Sequence, residues 1–283
     1  MSTNIQKLKI LIPTDFSMQA EFAWLITRKL QERLNAEIHF IHILQTGSEI
    51  NIDEKGEIIH DGEVDLSHLN MLKDIAKQKF ELLRKHAESD LQCHLVIGNF
   101  NEKLVDFAHK NQFDLVIMGT KGAFGIKERI SGTKTAHVVR NSKIPVLSLM
   151  CDRSDLKIRN LMFVHDFLRE ENPVVPTHSI IAELWNATVH LTYINTREKA
   201  DKNAIQNKMR EFAKINQLVN YEYIIHQDEG FERGVIHLNQ MKEYDLLFVG
   251  THGRNGFAQI MHHSKAEKLV NQLFKPIVTF RLN

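Results

Sequence analysis

The segment Asp114-Leu-Val-Ile-Met-Gly-Thr-Lys-Gly122 returns later in the chain as Asp245-Leu-Leu-Phe-Val-Gly-Thr-His-Gly253. This internal repeat constrains the fold more than any other feature, because one pattern has to satisfy one architecture twice. Gly119 and Gly250, Lys134 and Lys265, and Pro145 and Pro276 each stand 131 residues apart. At the front of each half the offset is 151, where Ile10-Leu-Ile-Pro-Thr-Asp15-Phe matches Leu161-Met-Phe-Val-His-Asp166-Phe. The drop from 151 to 131 means that the first half carries about twenty extra residues between these landmarks. The repeat predicts two domains, 1–150 and 157–283, joined by a polar linker around Asp152-Arg-Ser-Asp155. With 283 residues in all, each half is long enough to bury a core of its own.

Within each half, short apolar runs alternate with helical spacing. Lys9–Pro13, Glu37–Leu44, Leu91–Ile97, Leu115–Met118 and Val146–Leu149 read as strands buried on both faces. Ala20–Leu34, Leu72–Glu88, Glu102–Asn111 and Thr133–Asn141 place apolar residues three and four apart, as amphipathic helices do. The second half repeats the alternation, with strands near Leu161–Val164, Val189–Ile194, Tyr221–His226, Leu246–Val249 and Ile277–Phe280. The pattern predicts an α/β fold of two tandem doubly wound domains, each with a mainly parallel five-stranded sheet. The extra residues fall in Gln45–Asn70, an acidic stretch in which Ile50/Ile52 and Ile58/Ile59 flank a hairpin turn at Glu54-Lys55-Gly56. It reads either as a solvated loop or as a lid at the sheet's carboxyl edge.

Composition removes several function classes. Thirty-six basic residues against 35 acidic ones leave a formal charge of +1, without the basic excess that nucleic-acid binding uses. Two cysteines, Cys93 and Cys151, cannot build a disulfide framework. The polar start, Met1–Lys7, and the absence of any apolar run of about 20 residues lead to the expectation of a cytoplasmic protein without a membrane span. Sixteen histidines raise the question of a metal site, but no His-x-x-x-His pair stands beside a cysteine or carboxylate at ligand spacing. None is expected beyond a magnesium ion arriving with a nucleotide. Trp24 and Trp185 read as packing residues, and Cys93 beside His94 as part of a strand. No triad spacing marks a nucleophilic catalyst.

In open parallel sheets, ligands bind beyond the carboxyl ends of the strands, near helix N-termini with unpaired N–H groups. Asp15 follows the first strand. Gly119-Thr-Lys121-Gly122 follows the fourth, and Gly132-Thr133 opens the next helix after nine intervening residues. Glycines there allow a tight turn and a close backbone approach to an anion, and a helix start offers amides and the Thr133 hydroxyl to a phosphate. Asp15 suits ribose hydroxyls or a divalent cation, and Lys121 brings positive charge to the loop. Asp15 also reads as a simple N-cap, and the glycines as an ordinary strand-to-helix turn.

The Gly119-x2-Gly122-x9-Gly132-Thr133 motif, with Asp15 after the first strand, resembles the universal stress protein family in its ATP-binding form. The resemblance runs over nearly the whole chain twice, as in a tandem member, and implies a Rossmann-like fold related to adenine-nucleotide α-hydrolases. It further implies ATP, with or without Mg2+, as the ligand. Asp15, Gly119, Gly122, Gly132 and Thr133 would line the site, and the Ile43 backbone would meet adenine. It implies that the two halves pair through their last strands as a pseudo-dimer, with room for further dimerisation and for a protein partner. The second half keeps Asp166, Ile194, Gly250, Gly253 and Ser264, but His263 stands where Gly132 does, and Glu229 where Gly98 does. A Cβ at that approach and an added negative charge predict a degenerate second site. Three functions stay open: an ATP-regulated stress-response protein, a scaffold that uses no nucleotide, and a slow ATPase.

Overall fold

The computed structural model describes residues 7–45, 50–52, 58–60, 66–87, 91–120, 134–167, 176–196, 201–252, 269, 273 and 275–282. In the first half the chain runs β1 (Leu8–Pro13), α1 (Met18–Gln31), β2 (Ala36–Leu44), β3 (Ile50–Ile52), β4 (Ile58–His60), α2 (Leu66–His86), β5 (Leu91–Ile97), α3 (Phe100–Lys110), β6 (Leu115–Gly119), α4 (Lys134–Asn141) and β7 (Val146–Leu149). The second half continues with β8 (Asn160–Val164), α5 (Pro176–Trp185), β9 (Thr188–Asn195), α6 (Lys202–Ile215), β10 (Tyr221–Gln227), α7 (Phe231–Met241), β11 (Leu246–His252) and β12 (Ile277–Leu282).

Ten strands form one sheet in the order β10-β9-β8-β11-β12-β7-β6-β1-β2-β5. Every neighbouring pair is parallel except β12 and β7, which run antiparallel with Ile277 opposite Ser148, Val278 opposite Leu147 and Thr279 opposite Val146. Counted within its own half, and leaving aside the β3–β4 hairpin, each set of five strands has the order 3-2-1-4-5. The α/β fold with a mainly parallel sheet is therefore as the sequence predicts. The two last strands meet at the centre of the sheet. Arg33 adds a second link between the halves, donating from Nη1 to the Leu184 carbonyl at 2.7 Å and lying 5.6 Å from the Trp185 ring.

Strand alternation divides the core between two faces. Ile10, Ile12, Phe40, Ile117, Leu147, Phe163, Leu191, Phe248 and Val278 point to one face, under α1, α2, α5 and α6. Leu11, Ile41, Val116, Val146, Met162, Ile194, Leu247 and Ile277 point to the other, under α3, α4 and α7. Each face is one continuous apolar cluster that crosses from the first half into the second. Helices on both faces explain why the strands read as unbroken apolar runs.

The extra residues of the first half form the antiparallel β3–β4 pair, with Ile52 opposite Ile58, flanking the expected turn, which itself lies outside the described residues. α2 starts at Leu66, earlier than the spacing suggests, with Leu69 buried beneath it. No helix among the described residues is long and apolar enough to cross a membrane.

Candidate functional site

Strand order reverses between β1 and β6, so the chain leaves their carboxyl ends in opposite directions and opens a crevice there. The end of β1 is tied down locally. Thr14 N–H donates to the Ile41 carbonyl at 2.8 Å, Phe16 N–H to Thr14 Oγ1 at 2.9 Å, and Ser17 N–H to Asp15 Oδ1 at 3.0 Å. Phe16 takes a left-handed φ of 62°, which a side chain adopts only when its surroundings hold it. Its ring is held between His42, at 4.8 Å, and Phe80, at 5.3 Å, with Lys79 Nζ 4.9 Å from the ring centre.

Ser17, not Asp15, is the N-cap of α1. Its backbone is extended and its Oγ accepts from Ala20 N–H at 3.4 Å. Asp15 accepts from the Ser17 amide, in a short side-chain turn, and its residue remains exposed at the mouth of the crevice. Partial burial works against its charge, but hydrogen bonds from the Ser17 side chain and from backbone amides, with the positive charge of Lys134, hold the carboxyl below its usual range. Asp15 is thus an ionised acceptor across the neutral pH range.

His42, which the sequence reading passed over, joins this cluster. Its Nδ1 lies 2.7 Å from the Thr14 carbonyl, so this nitrogen carries the proton and donates. Burial lowers its pKa, against the opposing pull of the Thr14 carbonyl and Asp15, which keeps the ring neutral.

Ile43 is buried on β2 opposite Val96 of β5. The β1–β2 ladder ends at Pro13 and Ile41, with Thr14 on the Ile41 carbonyl. Backbone groups two residues apart on a strand point the same way. The Ile43 N–H and C=O therefore face the side that β1 has just vacated, while the Leu44 carbonyl turns the other way and accepts from Gly98 N–H at 3.0 Å.

Gly119, at the end of β6, has a reason for being glycine beyond the turn. A Cβ there would lie 1.8 Å from the Gln19 carbonyl oxygen in the first turn of α1. Its φ is not in the left-handed region, so the requirement is one of space. Lys121, Gly122, Gly132 and Thr133 lie outside the described residues, as do Gly253, His263 and Ser264 of the second half. α4 begins at Lys134, whose Nζ lies 4.8 Å from the Phe100 ring at the start of α3.

The profile of the Universal stress protein family matches residues 8–149, which take in both strands of the crevice and the start of α4. The chain belongs to the universal stress protein family. Universal stress protein MJ0577 of Methanocaldococcus jannaschii is 28% identical over 151 residues, covering 49% of this chain and 92% of its own length. A universal stress protein from Archaeoglobus fulgidus, 15% identical, overlays 98% of this chain and 99% of its own with a TM-score of 0.75, a likeness of fold. A further universal stress protein, 19% identical over 51% of this chain and 97% of its own, was solved in complex with cAMP (TM-score 0.37).

The two halves of this universal stress protein diverge at the strand end that leads into α3. Gly98 turns the chain into α3 with a φ of 134°, where an added Cβ would also meet Lys103 Cε at 2.8 Å. Its counterpart Glu229 lacks that left-handed backbone, and its side chain is 82% exposed and paired with Arg233. Cys93 is half-buried on β5 and burial pushes its thiol pKa up, so it is a packed residue and no activated nucleophile. Trp24 packs edge-on against Phe40. One grouping escaped the search for metal-ligand spacing: His226, Asp228 and His237 bring their ligand atoms within 4.8 Å of one another. One lies near the end of a strand, one directly after that strand and the third on the following helix, an arrangement that no single-element spacing reveals.

Proposed function

We propose that this universal stress protein binds ATP in the crevice of its first half and uses it as a regulatory ligand. The observation that supports this best is the meeting of an ionised Asp15, the outward-facing backbone of Ile43 and the space-limited Gly119 at one topological switch point. Asp15 would accept hydrogen bonds from the ribose hydroxyls, and the Ile43 backbone would pair with the adenine edge. Gly119, Lys121, Gly122, Gly132 and Thr133 would hold the phosphates at the start of α4, with Mg2+ arriving on the nucleotide. Bound nucleotide would order the loop between Gly119 and Gly132 and change a surface open to a protein partner. We read the chain as two domains, 1–150 and 157–283, forming a pseudo-dimer in the cytoplasm, with the second site degenerate at His263.

The test is the nucleotide content of freshly purified protein, followed by titration with Mg-ATP of the wild type, Asp15→Ala and Gly132→His. ATP or ADP near one per chain, lost in Gly132→His and weakened about tenfold or more in Asp15→Ala, is the expected result, each tenfold being about 1.4 kcal/mol of binding free energy. A wild type that neither retains nor binds nucleotide at millimolar Mg-ATP would overturn the reading. Turnover that depends on Asp15 would instead place the chain among slow ATPases.

A further inference from the structure

We infer that the second half carries a binding site for a borderline first-row divalent cation, of the zinc type, at the carboxyl end of edge strand β10. The inference does not rest on nucleotide binding by the first half. His226 is the penultimate residue of β10, Asp228 directly follows the strand, and His237 lies in the second turn of α7. Asp228 Oδ2 stands 2.7 Å from His237 Nδ1 and 3.6 Å from His226 Nε2. Tetrahedral ligands at the usual zinc distances of about 2.0–2.1 Å are about 3.3–3.4 Å apart, between these two separations and nearer the longer. The three ligand atoms lie within 4.8 Å of one another, so side-chain adjustments on the order of an ångström would set the trio around one ion.

The local backbone explains why the three groups meet. Gly234 lies one turn before His237 on the same side of α7. A Cβ at Gly234 would come within 2.7 Å of Ile194 Cγ2 and 3.2 Å of Asp228 Cβ, so glycine lets the helix settle directly onto the ends of β9 and β10. Asp228 N–H donates to the Asn195 carbonyl at 3.0 Å, which fixes the carboxylate against β9. The Asp228 side chain is only 7% exposed. His226 Nε2 is buried and makes no hydrogen bond. An imidazole nitrogen without a hydrogen bond beside a buried carboxylate is the feature that a cation would satisfy.

Two imidazoles and one carboxylate select a transition-type ion over magnesium or calcium, which prefer all-oxygen shells. Three protein ligands also leave a coordination position open. His226 pairs in register with Ile194, the counterpart of Ile43. The corresponding residues of the first half are Leu95, Ile97 and Asp106, which cannot form the same site. Arg233 is the opposing charge: its Nε lies 3.8 Å from Asp228 Oδ1, while its Nη1 is engaged by Glu229 and its side chain is 58% exposed, free to swing aside.

Calorimetric titration of the full chain with zinc chloride, without nucleotide, provides the test. His237→Gln changes a side chain 41% exposed on a helix surface, so the fold is expected to survive, as unchanged circular dichroism would report. Zinc affinity is expected to fall about tenfold or more in His237→Gln and in His226→Gln. Zinc is expected to raise the unfolding temperature of the wild type but not of His237→Gln. Cobalt(II) should give the intense visible bands of a low-coordinate site in the wild type only. A wild type without zinc affinity, or zinc affinity and cobalt spectra unchanged by His237→Gln, would overturn the inference.

Discussion

The Cβ that an alanine would carry at position 119 falls 1.8 Å from the carbonyl oxygen of Gln19. The end of β6 and the first turn of α1 are thus in backbone contact, and the crevice is narrow at its base because nothing separates the two elements. Gly119→Ala must push α1 away from the sheet. A loss of at least about 2 kcal/mol is expected in urea denaturation, with α1 displaced in a crystal structure of the variant. A variant as stable as the wild type would show that α1 moves freely.

Ser17 supplies the side-chain cap of α1 by accepting from Ala20 N–H. Ser17→Ala should cost about 1 kcal/mol, and Ser17→Asp much less, since aspartate caps equally well. The same pair separates capping from charge at Asp15. If Asp15→Asn instead gave the larger loss of stability, the cap would have been assigned to the wrong residue.

His39 and His94 stack 5.2 Å apart, with His39 Nδ1 2.9 Å from His94 Nε2 and His39 Nε2 2.7 Å from Glu37 Oε1. The chain of bonds is consistent when both rings are neutral: His94 donates to His39, and His39 donates to Glu37. Burial lowers the pKa of both rings, with the Glu37 carboxylate opposing it at His39. As pH falls through the ordinary histidine value of about 6.5, the unfolded chain binds protons that the folded chain refuses. Stability should therefore be complete above that value and decline as pH falls towards the lowered folded values. Urea midpoints at several pH values from neutral to mildly acid should fall less steeply in His94→Gln. His42 and His190, also lowered by burial, would leave a residual slope. Equal slopes in the two proteins would count against the His39–His94 pair as the source.

Both apolar clusters cross the seam between β7 and β12, where Leu147 and Val278 are fully buried. The halves should accordingly unfold together. Trp24→Phe leaves Trp185 to report on the second half, and Trp185→Phe leaves Trp24 for the first. Their fluorescence midpoints in urea are expected to coincide after correction for the small change in stability. Two separated transitions would mean that the seam is weaker than its burial implies.

Much of this architecture was legible because strands buried on both faces must be apolar at every position. Leu91–Ile97 and Val146–Leu149 occupy the very residues that the apolar runs delimit. The beginning of α2 was not, since Leu66 and Leu69 are separated by polar residues and only the fold shows Leu69 to be buried. At the site, Asp15, Ile43 and Gly119 could be picked out by position after a strand. Their surroundings could not. The left-handed Phe16 depends on His42 of β2 and on Lys79 and Phe80 of α2, and no local pattern announces such a clasp. The reason for Gly119 was equally hidden, because Gln19 approaches it from α1, a hundred residues earlier in the chain. His226, Asp228 and His237 were missed since a strand end and a helix face have no common period.

The antiparallel seam has a consequence for how this sequence can vary. When a strand meets an identical copy of itself across a twofold axis, every substitution enters the contact twice, and both instances must be tolerated together. Here Ser148 faces Ile277 and Leu147 faces Val278, so the two sides of the junction already differ. A change on either strand is tested against one fixed neighbour, once. Covalent linkage thus relieves the junction of self-complementarity and leaves each half free to drift separately in its own crevice.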